Sequence, residues 1–510
     1  MFLTNNYYLA GSKSYFKFFI NHLDDDFTVE TEEVKNCIIS IFDTFDWRLF
    51  RSGKSLIFSG SNYHFGNQES GYSSHKLKKK IVFADDIAET GFRNILSSVT
   101  GCRRICRNFR FKQKRTVFKV LNKDGKTISR LHLYEYVPLL KSHGVKAAFI
   151  KIEKLKGYSK YSGKIEALTS EYSIFPFRGN WTEKIISLTG NVPGSYSSKP
   201  KYEIDADMPA WLAMKIIYGK LFANMKLNEE GIKNNLDPEF LHDFRVAIRC
   251  TRSALSQINK VFPKETQNHF RQTFKYIQNA TNASRDIDVD ILNKSDYKNI
   301  LPLKMHTGID LLVKYLKKER SKEQQNLIRL LRSEKYVKAK KEWTDFLQSV
   351  NENISDLGNT FLEISALSAK KIIPALEKTI AAGDIIVPKS PDEQFHKFRI
   401  SLKKLRYLLE FFSGIYPEEQ MDIILYKIKA LQDNLGEFND LSIQQQKLTN
   451  YLLRIRPKPE TAKIILPAVG GLIAVKSQRK MQVREEFFIL YSQFRKKRNI
   501  KIFYDVFGKG

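Results

Sequence analysis

The phrase HDFRVAIRCTR fills residues 242–252, and HKFRISLKKLR fills residues 396–406, 154 residues further on. Each opens with a histidine and places a basic residue three, seven and ten positions later. At 3.6 residues per turn those offsets fall at roughly 0°, 300°, 340° and 280° around a helix axis. His242, Arg245, Arg249 and Arg252 therefore share one stripe, and His396, Arg399, Lys403 and Arg406 share its counterpart. The other side carries Phe244, Ile248, Leu255 and Ile258 in the first helix and Phe398, Leu402, Leu405 and Leu409 in the second. Each phrase thus predicts a helix that buries an apolar face and presents a cationic one.

The match continues downstream. Asp286, in SRDIDVD, follows His242 by 44 residues, and Asp440, in EFNDLSI, follows His396 by 44. Two periods of equal layout predict a duplicated helical unit related by a pseudo-two-fold. Like charges on one stripe repel by a few tenths of a kcal/mol per pair, and no acid stands between His396 and Glu410. For a single basic run the plain reading is a solvated helix face. Repetition at matched positions points instead to a row of donors for anionic oxygens. Arginine offers a planar fork suited to phosphate, and lysine a mobile point charge. The histidines can donate to phosphate and gain charge near a polyanion; their plain reading is a hydrogen bond at a helix start or in the core. Lys397 and Lys404 are basic neighbours of the second stripe. Asp286 and Asp440 are expected to orient or cap, holding an arginine of the stripe. The alternating acids of RDIDVD lack the glycine and distal glutamate of a calcium loop, and the second copy keeps only Asp440.

The totals agree with an anionic partner. Lys and Arg number 85 against 55 Asp and Glu, a net charge of +30 in 510 residues, which speaks for a polyanion or an anionic surface rather than for any fold. The length suggests two or three domains, and 42% hydrophobic residues suffice for real cores. Four cysteines, Cys37, Cys102, Cys106 and Cys250, make no disulfide framework and read as reduced thiols in a cytosol. Cys102 and Cys106 have ligand-like spacing but no second pair completes a zinc site. The N-terminal MFLTNNYYLAGSKSYF lacks the features of a signal peptide. The longest apolar run, Ile464 to Val475, is too short to span a bilayer. A soluble cytoplasmic protein is expected.

The first 200 residues read as mostly strands. NCIISIFDTFDWRLFRSGKSLIFSG is rich in β-branched and aromatic residues, with turn chemistry at Arg51 to Gly53. Val117 to Leu121 and Thr127 to Leu133 flank NKDGK as a hairpin, with Asp124-Gly125 as its positive-φ turn. AAFIKIEKLKGY reads as a further strand and turn. The Gly, Pro and Ser of residues 190–205 mark a linker. From about Met208 onward apolar residues recur at three and four places, as in helices. The fold class expected is multidomain α+β: an antiparallel sheet domain over 1–200, then an all-α domain over 205–510 divided into repeats at about 205–370 and 371–510.

The paired phrases, with RDIDV and LQDNLGEFNDL behind them, resemble the CHAD family of histidine-containing α-helical domains. The resemblance implies two symmetric helical bundles around a basic central cavity, binding of inorganic polyphosphate, and association with polyphosphate granules. Carried onto this chain, the binding positions are His242, Arg245, Arg249, Arg252, His396, Arg399, Lys403 and Arg406, with Lys404 beside them. FDTFDWRLFRSGKSL and FKVLNKDGKTISRLHL resemble the CYTH, or triphosphate tunnel metalloenzyme, family. That resemblance implies an antiparallel β-tunnel and, in active members, metal-dependent triphosphate chemistry. The sequence departs from the pattern: the first strand should carry Glu-x-Glu-x-Lys to hold the metal, yet TNNYYLAGS stands there, Glu30, Glu32 and Lys35 are wrongly spaced, and SLIFSG lacks the alternating arginines for phosphate. The tunnel is therefore expected to be degenerate, with no catalytic residues, metal or cofactor. The leading expectation is a polyphosphate-binding protein. The alternatives are a metal-dependent triphosphatase or polyphosphatase using the N-terminal tunnel, and a nucleic-acid-binding protein with weak, non-specific contacts. Aromatics do not interleave with the basic stripes, which argues against single-strand stacking platforms there.

Overall fold

The chain divides after Ser197 into a sheet unit, Met1–Ser197, and a helical unit, Ser198–Gly510. The division falls inside the Gly-, Pro- and Ser-rich segment expected to be a linker. The structure, a computed structural model, describes residues 7–10, 13–139, 146–349, 357–455 and 458–508.

The sheet unit runs β1 (Tyr7–Ala10), α1 (Lys13–Asp26), β2 (Thr28–Thr44), α2 (Arg48–Arg51), β3 (Ser55–Ser59), β4 (Asn62–Asn67), β5 (Gly71–His75), α3 (Thr90–Thr100), β6 (Ile105–Leu121), β7 (Thr127–Pro138), β8 (Ala147–Lys154), α4 (Ser159–Glu171), β9 (Ile174–Phe177) and α5 (Trp181–Ser187). The nine strands form one antiparallel sheet in the order β5-β4-β3-β2-β6-β7-β8-β1-β9. The hairpin at NKDGK forms as expected, although of its turn pair only Gly125, at φ +73°, takes a positive φ. Arg48–Arg51 is a short helix rather than strand. Asp43, not a turn, organises it: its carboxylate accepts from the backbone N–H groups of Thr44, Leu49 and Phe50 at 2.7–3.0 Å.

One face of the sheet wraps an aromatic core. Ile39 and Ile41 of β2, Phe111 of β6, Tyr134 and Tyr136 of β7 and Phe149 of β8 pack there around Trp181 and Ile185 of α5. Both edges of the strand order meet the same helix: the Trp181 indole donates to the Tyr72 hydroxyl of β5 at 3.3 Å, and Phe177 of β9 joins the cluster. The sheet is thus tunnel-like, with α5 plugging its bore. The other face has two covers. α1 and α4 pack over the β6–β8 side, and α3 with residues 77–87 packs over the β3–β4 side.

The helical unit runs α6 (Ala210–Lys233), α7 (Pro238–Gln257), α8 (Lys264–Ala280), α9 (Asn282–Leu292), α10 (Lys294–Asn299), α11 (His306–Arg332), α12 (Glu334–Gln348), α13 (Ile364–Asp384), α14 (Asp392–Phe412), α15 (Glu418–Ile455), α16 (Pro459–Phe494) and α17 (Lys497–Phe507). The duplication is visible in the backbone. α6 and α13 begin 154 residues apart, as do His242 and His396, each the fifth residue of its helix. Equivalent helices pack on each other: α7 on α14, and α11 on α16. At the starts of α6 and α13 the hydrogen bonds are reciprocal, Ala210 N–H to Leu362 C=O and Ile364 N–H to Met208 C=O, both 2.9 Å. Like-to-like packing and reciprocal bonds are what a two-fold requires. The expected repeat boundary near 370 falls inside α13; the symmetry starts the second repeat at about Ile364. One difference separates the copies. α8 and α9 break at Thr281, whereas the matching stretch of the second repeat runs through α15 without interruption. No described helix is long and apolar enough to cross a membrane.

Candidate functional site

The apolar faces predicted for the two phrases are buried: Phe244, Ile248 and Leu255 on α7 with Ile258 just past its end, and Phe398, Leu402, Leu405 and Leu409 on α14. That burial turns the basic residues toward the seam where α7 meets α14. Arg249 reaches across it, its Nε donating to the Tyr407 hydroxyl of α14 at 2.8 Å. Arg399, Lys403 and Arg406 of α14 lie within electrostatic reach of Arg249 and of one another. Four cations from two helices thus share one half-buried patch, and Arg245 extends the row behind Arg249.

Each cation is held differently because the repeats are not identical. Arg245 donates to the Gln278 carbonyl at 2.9 Å and the Thr281 hydroxyl at 2.6 Å. Both lie at the α8–α9 break, where a helix end leaves carbonyls that attract a cation. The equivalent Arg399 faces the unbroken α15 and has Asp440 at 3.9 Å. Lys403, the equivalent of Arg249, makes no hydrogen bond or ion pair to a described residue; Ser253 stands where the symmetric counterpart of Tyr407 would be, and is too short to reach. Burial first, then the neighbouring Arg399, Arg249 and Arg406, push the Lys403 ammonium down to about 8. Burial and Arg249 likewise push Arg245 down to about 10. Arg406 is 3.5 Å from Glu410, and its guanidinium carbon is 5.5 Å from the Tyr407 ring centroid.

Several predicted positions do not join this patch. Arg252 turns toward α8, donating to Gln278 Oε1 at 2.6 Å. His396 is exposed and lies 3.1 Å from Asn439 Oδ1; Lys404 is exposed, one residue off the stripe. His242 is half-buried near the start of α7. Asp440 stands 3.9 Å from Arg399 of the stripe. Asp286 instead pairs with Lys447 of the other repeat at 2.9 Å, and acts on Arg245 only through its charge. Reading by residue type missed Tyr407, Gln278 and Thr281. Tyr407 directly follows Arg406, but nothing in the sequence says that its hydroxyl meets Arg249.

In the sheet unit, the charges on the wrapped face neutralise each other. Glu33 pairs with Lys35 and lies 3.4 Å from Arg115; Arg115 contacts His132 at 3.1 Å, and His132 contacts Glu153 at 2.8 Å. Glu32 is tied to Arg130 at 2.8 Å. Among the described residues, no three His, Cys, Asp or Glu side chains gather as metal ligands. Carboxylates already committed to cations do not fit a divalent metal.

No curated protein matches this chain. Among solved structures, a CHAD domain from the plant Ricinus communis aligns at 21% identity with a TM-score of 0.49, over 58% of this chain and 95% of that one. PptA from Streptomyces chartreusis aligns at 14% identity with a TM-score of 0.42, over 56% of this chain and 99% of that one. An adenylate cyclase candidate from Vibrio parahaemolyticus aligns at 15% identity with a TM-score of 0.22, over 36% of this chain and 99% of that one. Residues 217–449, which contain both phrases and both trailing aspartates, match the family model of the CHAD domain. Residues 217–449, with the paired cationic helices inside them, thus form a CHAD domain.

Proposed function

We propose that the helical unit binds inorganic polyphosphate along the α7–α14 seam. The observation that supports this reading most is the gathering of Arg249, Arg399, Lys403 and Arg406 from both repeats into one patch whose lysine makes no ion pair with a described acid. A chain of phosphates needs no base readout; it needs successive cations, and the pseudo-two-fold supplies two sets facing one seam. Arg245 lengthens the track toward the α8–α9 break, and in this reading Arg252, His242, His396 and Lys404 contribute from outside the patch. Asp440 orients Arg399. An anion there offsets the burial and the neighbouring cations that lower Lys403, so binding takes up protons where that amine is otherwise neutral. In the cell such a protein would be cytoplasmic and would collect at polyphosphate granules, as the CHAD resemblance implies. The sheet unit serves as a structural or targeting module in this reading.

The test is calorimetric titration of the full chain with long polyphosphate, RNA and DNA at matched phosphate concentration. Polyphosphate is expected to bind tightest, with a steep salt dependence. Replacing Lys403 and Arg406 with Ala should weaken polyphosphate binding at least about tenfold, since a charge-assisted contact is worth about 1.5–3 kcal/mol when partly desolvated. Replacing Lys338 and Lys341, exposed on α12, is the control. Equal loss in the control would reduce the effect to bulk charge and overturn the reading.

A further inference from the structure

The sheet unit holds a second basic feature that the helical site does not explain. Between the two covers on the outer face of the sheet lies an open groove of about 1190 Å³. One wall is the strap after β5, with Lys78, Lys79 and Lys80 exposed in succession. The other is β6. Its alternation puts Arg110 and Lys112 on this face, opposite Ser40 and Ile38 of β2. A register shift between Ile41 and Phe42 then returns Arg107 to the same face. None of these six cations pairs with a described acid, and no described acid lines the groove. Glu135, opposite Lys114 in register, stands outside it.

The floor is apolar. Ile38 is 46% exposed and Leu139 40% exposed. Phe58 is half-buried and tilted against Tyr63, with ring centroids 4.9 Å apart. Water-exposed apolar surface between two cationic walls fits a ligand that is anionic along its length and carries flat apolar groups. Inorganic polyphosphate satisfies the walls and leaves the floor wet. Paired bases of a duplex cannot reach the floor. We infer that this groove binds a single-stranded oligonucleotide, with phosphates along Lys78–Lys80 and the β6 cations and unpaired bases against Ile38, Phe58 and Leu139. The inference stands apart from the polyphosphate reading, because it concerns a different unit and different residues.

The test is fluorescence anisotropy of the full chain with a labelled mixed-sequence single-stranded RNA of about ten nucleotides, a length within the range of known single-strand sites. Replacing Lys78, Lys79 and Lys80 together with Ala should weaken RNA binding at least tenfold. It should also make the slope of log affinity against log salt shallower by about 2, from three lost phosphate contacts. Polyphosphate affinity should stay within twofold. Replacing Ile38 and Leu139 with Ala should weaken RNA binding severalfold with no change in salt slope. All five side chains are exposed, and an unchanged circular dichroism spectrum confirms the fold. RNA binding indifferent to the strap lysines overturns the proposal. So does equal strap-dependent binding of duplex, of polyphosphate or of anionic vesicles, because the floor would then select nothing.

Discussion

Replacing Lys403 with Met should stabilise the helical unit while weakening its hold on polyphosphate. The ammonium of Lys403 is half-buried among Arg249, Arg399 and Arg406, without an ion pair to a described residue. Its fall from 10.5 to about 8 corresponds to about 3 kcal/mol of unfavourable charge at neutral pH. Partial solvation and rearrangement of the arginines reduce this, so an observed gain of about 1–2 kcal/mol is expected. The sign follows from proton counting. Between about pH 8 and 10.5 the unfolded chain binds a proton at Lys403 that the native chain has released, so native stability rises with pH through that window. Below it both states are charged and the native state carries the full penalty. Met keeps the aliphatic stem and removes the charge, so its advantage is complete at pH 7 and disappears above about pH 10.5. Urea unfolding followed by far-UV circular dichroism, at pH 7 and again near pH 10, reads the difference. Polyphosphate titration of the same variant should show an affinity loss of about tenfold. A variant less stable at pH 7, or equally stabilised at both pH values, would refute the claim that burial and the neighbouring arginines hold an unfavourable charge at Lys403 for an anion to offset.

Other outcomes can be checked separately. Tyr407→Phe removes the acceptor of Arg249, and should cost about 1–2 kcal/mol of stability for the lost charge-assisted bond, while thermal melts confirm an intact fold. Gly308→Ala should destabilise by about 1–3 kcal/mol in denaturant titration, because a Cβ there would stand 2.5 Å from the Ile464 carbonyl oxygen where α11 crosses α16. Trp181→Ala should cost about 3–5 kcal/mol in the sheet unit by emptying its bore; a small effect would mean that α5 is a loose cover. Tripolyphosphate with added magnesium or manganese should not be hydrolysed above background, as Glu33, Glu32 and Glu153 are already committed to cations and His132; turnover abolished by chelation would show that these carboxylates open to a metal.

The helical half was the more legible because its signal is periodic and local. Offsets of three, seven and ten residues place His242 to Arg252 on one stripe whatever the helix packs against, and a repeat of 154 residues announces a duplicated unit without coordinates. Turn chemistry likewise located the NKDGK hairpin. What the sequence could not carry is contact across repeats. Whether α7 faces α14, and so whether Arg249 meets Lys403 and Tyr407, depends on packing between segments 158 residues apart. It also could not see that Arg252 would turn to Gln278, or that Asp286 would find Lys447 rather than an arginine, since both contacts depend on how separate helices pack. In the sheet unit, strand alternation divides residues into two faces but does not say which face is wrapped. Only the curl of the sheet around Trp181 made one face a filled bore, and only the gap between its outer covers brought Lys78–Lys80 opposite Arg110 and Lys112. Local chain geometry is written in the spacing of residues; the juxtaposition of charges from distant segments is decided by which apolar faces find each other.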